Sequence, residues 1–196
     1  MSLESAFAHL NKRRSVLGGV VLSGGEPCLY RELPLIIREI KKFSLVVKLD
    51  TNGMFPIMLE KLFSREETRP DYIALDLKIA PSRYDELAGP IPKLSQQDNR
   101  GALGDNLIQS AALIRNAGIE HEYRTLALPG GFISEKDIEE LAPLVNNAPW
   151  YFRPFRGGNC LDPAWDILEE TVTKASAGAK ALAEKARVLG KNGISL

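Results

Sequence analysis

Residues 19–27 read GVVLSGGEP, and residues 45–53 read LVVKLDTNG. Each is a β-branched run of strand length that ends in a polar turn containing glycine. A stretch with helical period follows each one, LPLIIREIKKF at 33–43 and PIMLEKLF at 56–63. The order strand, turn, helix then repeats. Further strand candidates are DYIALDLK at 71–78, EHEYRTLA at 120–127 and WYFRPF at 150–155; the helical patterns DNLIQSAALIRNAG at 105–118 and SEKDIEELAPLV at 134–145 complete the alternation. Pro34 and Pro56 suit first helical positions, Asp105 and Ser134 suit N-caps, and Gly118 suits a C-terminal stop. Strands that alternate with helices require right-handed crossovers and therefore a parallel sheet. Five such units predict an α/β fold, an open or partly closed (β/α) barrel. A helix around Glu4–Arg14 opens the chain, as though the first βα unit were missing, and an Ala/Lys/Glu-rich segment from Pro163 to Leu189 closes it. The expected division is a barrel portion at 1–163 and a helical segment at 164–196.

The 196 residues carry 25 Lys and Arg against 25 Asp and Glu, and 44% are hydrophobic. That balance fits neither a disordered tail nor a basic nucleic-acid binder. Cys28 and Cys160 are too few for a disulfide framework, and too few for a metal site of three or more thiolates. Apolar stretches are short and interrupted by glycine, and the opening MSLESAFAHLNKRR is charged where a signal peptide is apolar. The expectation is a cytoplasmic protein that engages neither nucleic acid nor membrane.

Ligands of parallel α/β sheets lie at the carboxyl ends of the strands, so the residues that end each run are the site candidates. These are Gly24-Gly25-Glu26, Asp50-Thr51-Asn52-Gly53, Asp76 with Lys78, Arg124-Thr125, and Arg153 with Arg156. Gly24 and Gly25 leave backbone bare for a ligand or for positive φ, with Glu26 adding a carboxylate. A tight strand-to-helix turn with a solvated Glu fits the same letters. Asp76 and Lys78 are two apart, so both project to one side, where they can flank a zwitterion or simply pair with each other. Residues 50–53 also fit an Asx-type turn. Arg124 shares a face with Glu122 and can hold an anion or pair with that carboxylate. His9 and His121 have no partners at metal-ligand spacing. Cys28 suits a small buried role, and Cys160 a more exposed thiol.

Taken in order, these segments resemble the radical S-adenosylmethionine (SAM) superfamily, with GVVLSGGEP similar to its GGE motif. More narrowly, KLDTNG at 48–53, YIALDLK at 72–78, EYRT at 122–125 and FRPFRGGNCLDP at 152–163 resemble the activating proteins of anaerobic ribonucleotide reductase and pyruvate formate-lyase. The Arg-rich NCLDP ending favours the reductase branch. The resemblance spans residues 4 to 163 and implies a partial (β/α) barrel of radical SAM type that binds a [4Fe-4S] cluster and SAM. An electron from the cluster would cleave the sulfonium, and the 5′-deoxyadenosyl radical would remove hydrogen from a glycine of a partner glycyl radical enzyme. By matching positions, Gly24, Gly25 and Glu26 would hold the methionine amine and Lys78 the carboxylate. Asp50, Thr51 and Asp76 would form the polar floor near that carboxylate, where related activases can hold a monovalent cation. Arg124 is a further candidate for the same pocket.

In one respect the sequence departs from the family. The cluster is bound there through CxxxCxxC after the first strand, and no such run occurs among these residues. No catalytic residue or metal ligand is therefore assigned. The leading expectation is an N-terminally truncated activase, inactive by itself. The alternative is a cluster-free pseudoenzyme or binding module that keeps the pocket for a nucleoside or protein partner. A third reading is an ordinary barrel enzyme using Asp76 and Lys78 in acid–base chemistry.

Overall fold

The computed structural model describes residues 2–87, 103–158 and 169–196. Its strands are β1 (Gly19–Leu22), β2 (Val46–Thr51), β3 (Tyr72–Asp76), β4 (Glu120–Ala127), β5 (Trp150–Pro154) and β6 (Ile194–Ser195). Its helices are α1 (Leu3–Arg13), α2 (Leu33–Lys41), α3 (Pro56–Phe63), α4 (Leu103–Asn116), α5 (Glu135–Leu141) and α6 (Glu169–Val188). The strands follow one another in sequence order, β1 to β6, and β1–β2, β2–β3, β4–β5 and β5–β6 are parallel pairs. An open parallel α/β sheet of this order is the architecture of a partial barrel.

The chain divides into two compact units. The first holds the residues up to Leu75 together with those of 103–121. Its register sets Gly19 beside Val46, Val21 beside Lys48, and Asp50 beside Ala74. Period-two alternation therefore sends Val47, Leu49, Ile73 and Leu75 to one face, where all four are wholly buried. Ile37 and Ile40 of α2, Leu59 and Leu62 of α3 and Leu107 and Ile114 of α4 complete this core. Each such side chain contributes about 1.5–3 kcal/mol on leaving water. Gly19 is required for a different reason: a Cβ there would lie 2.4 Å from Val46 Cγ2 and 2.7 Å from the Val46 carbonyl oxygen.

The second unit holds the described residues from Asp76 to Leu87 and from Glu122 to Leu196. Its core is Tyr123, Trp150 and Phe152 with Ile138 and Leu141 of α5 and Leu182, Ala183 and Ala186 of α6. The Trp150 indole donates to Thr125 Oγ1 at 2.9 Å, which satisfies a buried polar group on each partner. Ser134 caps α5 through a full capping box with Asp137.

The five expected strands stand within a residue or two of the observed ones. Three details differ. Asp105 is not an N-cap, because α4 begins at Leu103 and sets Asp105 in the first turn, where its charge meets the positive end of the helix dipole. Pro34 occupies the second helical position of α2, which begins at Leu33. The stretch 134–145 is not one helix: α5 stops at Leu141 and Ala142–Leu144 tightens into a 3₁₀ turn around Pro143, which has no N–H to continue the ladder. The short β6 had no sequence signal; it is tied in where Trp150 N–H donates to the Gly193 carbonyl at 3.1 Å. Cys160 and the rest of residues 159–163 lie outside the described residues. Among the described residues no helix is long and apolar enough to cross a membrane.

Candidate functional site

In the first unit the chain leaves β1 through Gly24 and Gly25, at φ of +91° and +26°. A Cβ built on either would meet nothing within 4 Å, so the backbone conformation, not crowding, is what calls for glycine. The turn delivers Glu26, whose carboxylate is heavily engaged. Oε1 accepts from the Cys28 N–H at 3.0 Å and the Thr51 hydroxyl at 2.8 Å, and Oε2 accepts from the Asn52 N–H at 2.7 Å. Glu26 is thus neither a solvated turn residue nor a bare carboxylate. It caps the Pro27–Leu29 turn and clasps the end of β2. A carboxylate has about four acceptor directions, so one on Oε2 remains for a ligand.

Beyond β2, Asn52 Oδ1 accepts from the Met54 N–H at 2.9 Å, which makes the Asx turn expected at this point. Gly53 completes it at φ +77°, and a Cβ there would stand 2.9 Å from Leu75 Cδ1. Asp50 and Thr51 project to opposite faces of β2, so the pair expected to share one polar floor is divided: Thr51 is buried and serves Glu26, while Asp50 shares its face with Lys48. Cys28 is 2% exposed, and burial first, then the charge of Glu26, push its thiol well above the ordinary range. It is the small buried residue that the sequence suggested.

In the second unit Asp76 Oδ1 accepts from Arg124 Nε and Nη2, both at 2.9 Å, and Oδ2 accepts from Lys78 Nζ at 3.3 Å. Arg124 therefore pairs with Asp76. These side chains keep 23–49% of their surface in water, so the ion pairs add little stability. Their arrangement matters more for binding. Asp76, Lys78, Arg124, Thr125, Leu126 and Arg153 line a cavity of about 400 Å³. The lining carries three cations to one carboxylate, a balance that favours an anionic group on a ligand. Arg153, a strand-end candidate to which the resemblance assigns no role, is on this wall because β4–β5 pairing sets it beside Leu126 and hence on the face of Arg124. Its guanidinium lies 5.7 Å from the Tyr151 ring centroid. Arg156 is not a wall of this cavity.

No family model matches the chain. A protein of Methanocaldococcus jannaschii, named provisionally as a glycyl-radical enzyme activating enzyme, is 29% identical over 133 residues, covering 67% of this chain and 52% of that protein. The GTP 3′,8-cyclase of Microcystis aeruginosa is 28% identical over 158 residues, covering 76% of this chain and 45% of the cyclase. Among solved structures, a radical SAM methyltransferase from Sphaerobacter thermophilus superposes with a TM-score of 0.55 at 17% identity, over 91% of this chain and 52% of that one. The chain shares its fold with radical SAM enzymes.

The chain spans about half the length of the curated relatives it matches. Its described residues do not fit the cluster that the superfamily implies. Among them no group of three or more His, Cys, Asp or Glu is placed to hold a metal ion, and the one described cysteine, Cys28, is a buried thiol whose burial disfavours the thiolate that a cluster needs. Each unit has polar groups of its own: bare turn backbone and an acceptor on Glu26 in the first, and the cationic cavity in the second.

Proposed function

We propose that this chain supplies SAM recognition to a glycyl-radical-enzyme activase, with a glycyl radical enzyme of the anaerobic ribonucleotide reductase or pyruvate formate-lyase type as its partner. The observation that carries the reading is the cavity of the second unit, where Lys78 and Arg124 flank Asp76 at the carboxyl ends of β3 and β4. Lys78 takes the methionine carboxylate, and Asp76 holds Lys78 and Arg124 in place. The first unit is read by itself: Gly24, Gly25 and Glu26 suit an ammonium group, with Thr51 and Asn52 fixing the Glu26 carboxylate. Asp50 remains a candidate beside them. The likeness to the Methanocaldococcus protein supports the activase branch. Reductive cleavage of SAM needs cluster ligands that these residues do not include, so recognition is as far as they carry the chemistry.

Charge-assisted hydrogen bonds contribute about 1.5–3 kcal/mol each, and association costs about 4–15 kcal/mol. The expected dissociation constant for SAM is therefore about 1 mM, near −4 kcal/mol. Calorimetric titration of the wild type and Lys78→Ala tests this. Loss of binding in the variant supports the reading, and absence of binding in the wild type overturns it. Micromolar binding that Lys78→Ala abolishes would favour the cluster-free binding module.

A further inference from the structure

β3 ends at Asp76, two residues before Lys78. The segment that carries Lys78 is nevertheless rigidly anchored. Leu77, Ile79 and Ala80 are buried, and four backbone groups of the segment meet specific partners. Leu77 N–H donates to the Arg124 carbonyl at 2.8 Å, and the Leu77 carbonyl accepts from the Thr125 hydroxyl at 2.8 Å. Lys78 N–H donates to the Tyr84 hydroxyl oxygen at 3.3 Å. Ala80 N–H donates to Asp137 Oδ1 at 3.0 Å.

Two of these partners are expensive to bury. Tyr84 is 2% exposed, and its hydroxyl makes one hydrogen bond among the described residues, to Lys78. A phenylalanine would fill the same space without burying a hydroxyl. Asp137 is 1% exposed and accepts from Ala80 N–H, from Ser134 N–H and hydroxyl, and from Arg83 Nη1. One carboxylate thereby closes the cap of α5 and ties the Lys78 segment to it.

We propose that Tyr84 and Asp137 are positioning residues for Lys78, holding the backbone from which its ammonium reaches Asp76 and the cavity. The proposal rests on the reading that Lys78 takes the SAM carboxylate. Tyr84→Phe keeps the ring and removes the acceptor, so the Lys78 amide should exchange with solvent about fivefold faster while Ile73, deep in β3, stays unchanged. The same variant should weaken SAM binding about fivefold and leave 5′-methylthioadenosine, which has no carboxylate, unaffected. A purely structural role would weaken both ligands alike. Asp137→Asn should speed exchange at Ala80, and if that variant fails to fold, Tyr84→Phe decides the matter. Unchanged exchange at Lys78, or equal loss of both ligands, overturns the proposal. Lys78→Ala separates the two layers: if it leaves SAM binding intact, the ligand reading falls, and the exchange rates still decide positioning.

Discussion

Glu26 illustrates how a motif residue can have its role half written in the sequence. The turn GGEP announces a carboxylate at a strand end, but not that three donors, from Cys28, Thr51 and Asn52, already occupy it. Replacing Glu26 with Ala leaves those donors unmet, and a loss of about 2–4 kcal/mol is expected. Urea denaturation checks this, and a change under about 0.5 kcal/mol would contradict the clasp. Cys28 beside it carries a pH signature. The free thiol titrates near 9.0, and burial followed by the Glu26 charge holds it protonated in the fold far above that value. Above pH 9 the unfolded chain releases a proton that the folded chain keeps, so stability is complete below pH 9 and falls as pH rises, by up to about 1.4 kcal/mol per pH unit. Tyr84 adds a decline of the same sign above pH 10. Cys28→Ala should flatten the fall between pH 9 and 10. Equal slopes in the two proteins would show that the thiol does not contribute.

Elements are where local pattern was most informative. Short β-branched or aromatic runs alternating with amphipathic stretches identified five strands, because alternation and side-chain shape are properties of neighbouring residues. Pattern failed where one residue overrode it, at Pro143, and where an element is held only from outside, as β6 is by β5. Ser134 was legible as a cap because its side chain acts within its own first turn. Ser134→Ala should cost about 1 kcal/mol and lower the thermal midpoint by about 2–4 °C. A midpoint unchanged within error would mean that Asp137 alone satisfies the start of α5.

On the scale of the whole molecule, the cysteine count bears on chemistry most directly. Reconstituted anaerobically with iron and sulfide, these 196 residues are expected to hold far less than one [4Fe-4S] cluster per chain, since two cysteines remote in sequence cannot act as three closely spaced thiolates. Iron analysis is the check, and a full complement of iron with a cubane spectrum would refute it. The sequence by itself determined the parallel α/β order, the ends of the strands as the place for polar residues, and Gly24, Gly25, Glu26, Asp76 and Lys78 as those to watch. All of these follow from local periodicity and from a rule about strand ends. Only the tertiary structure decided which groups meet: Glu26 with Thr51, Asp76 with Arg124, Ala80 with Asp137, and Arg153 on the wall of the cavity. These pairs lie 25, 48 and 57 residues apart along the chain. A hydrogen bond depends on distances of about 3 Å between atoms, and packing, not spacing in sequence, sets those distances.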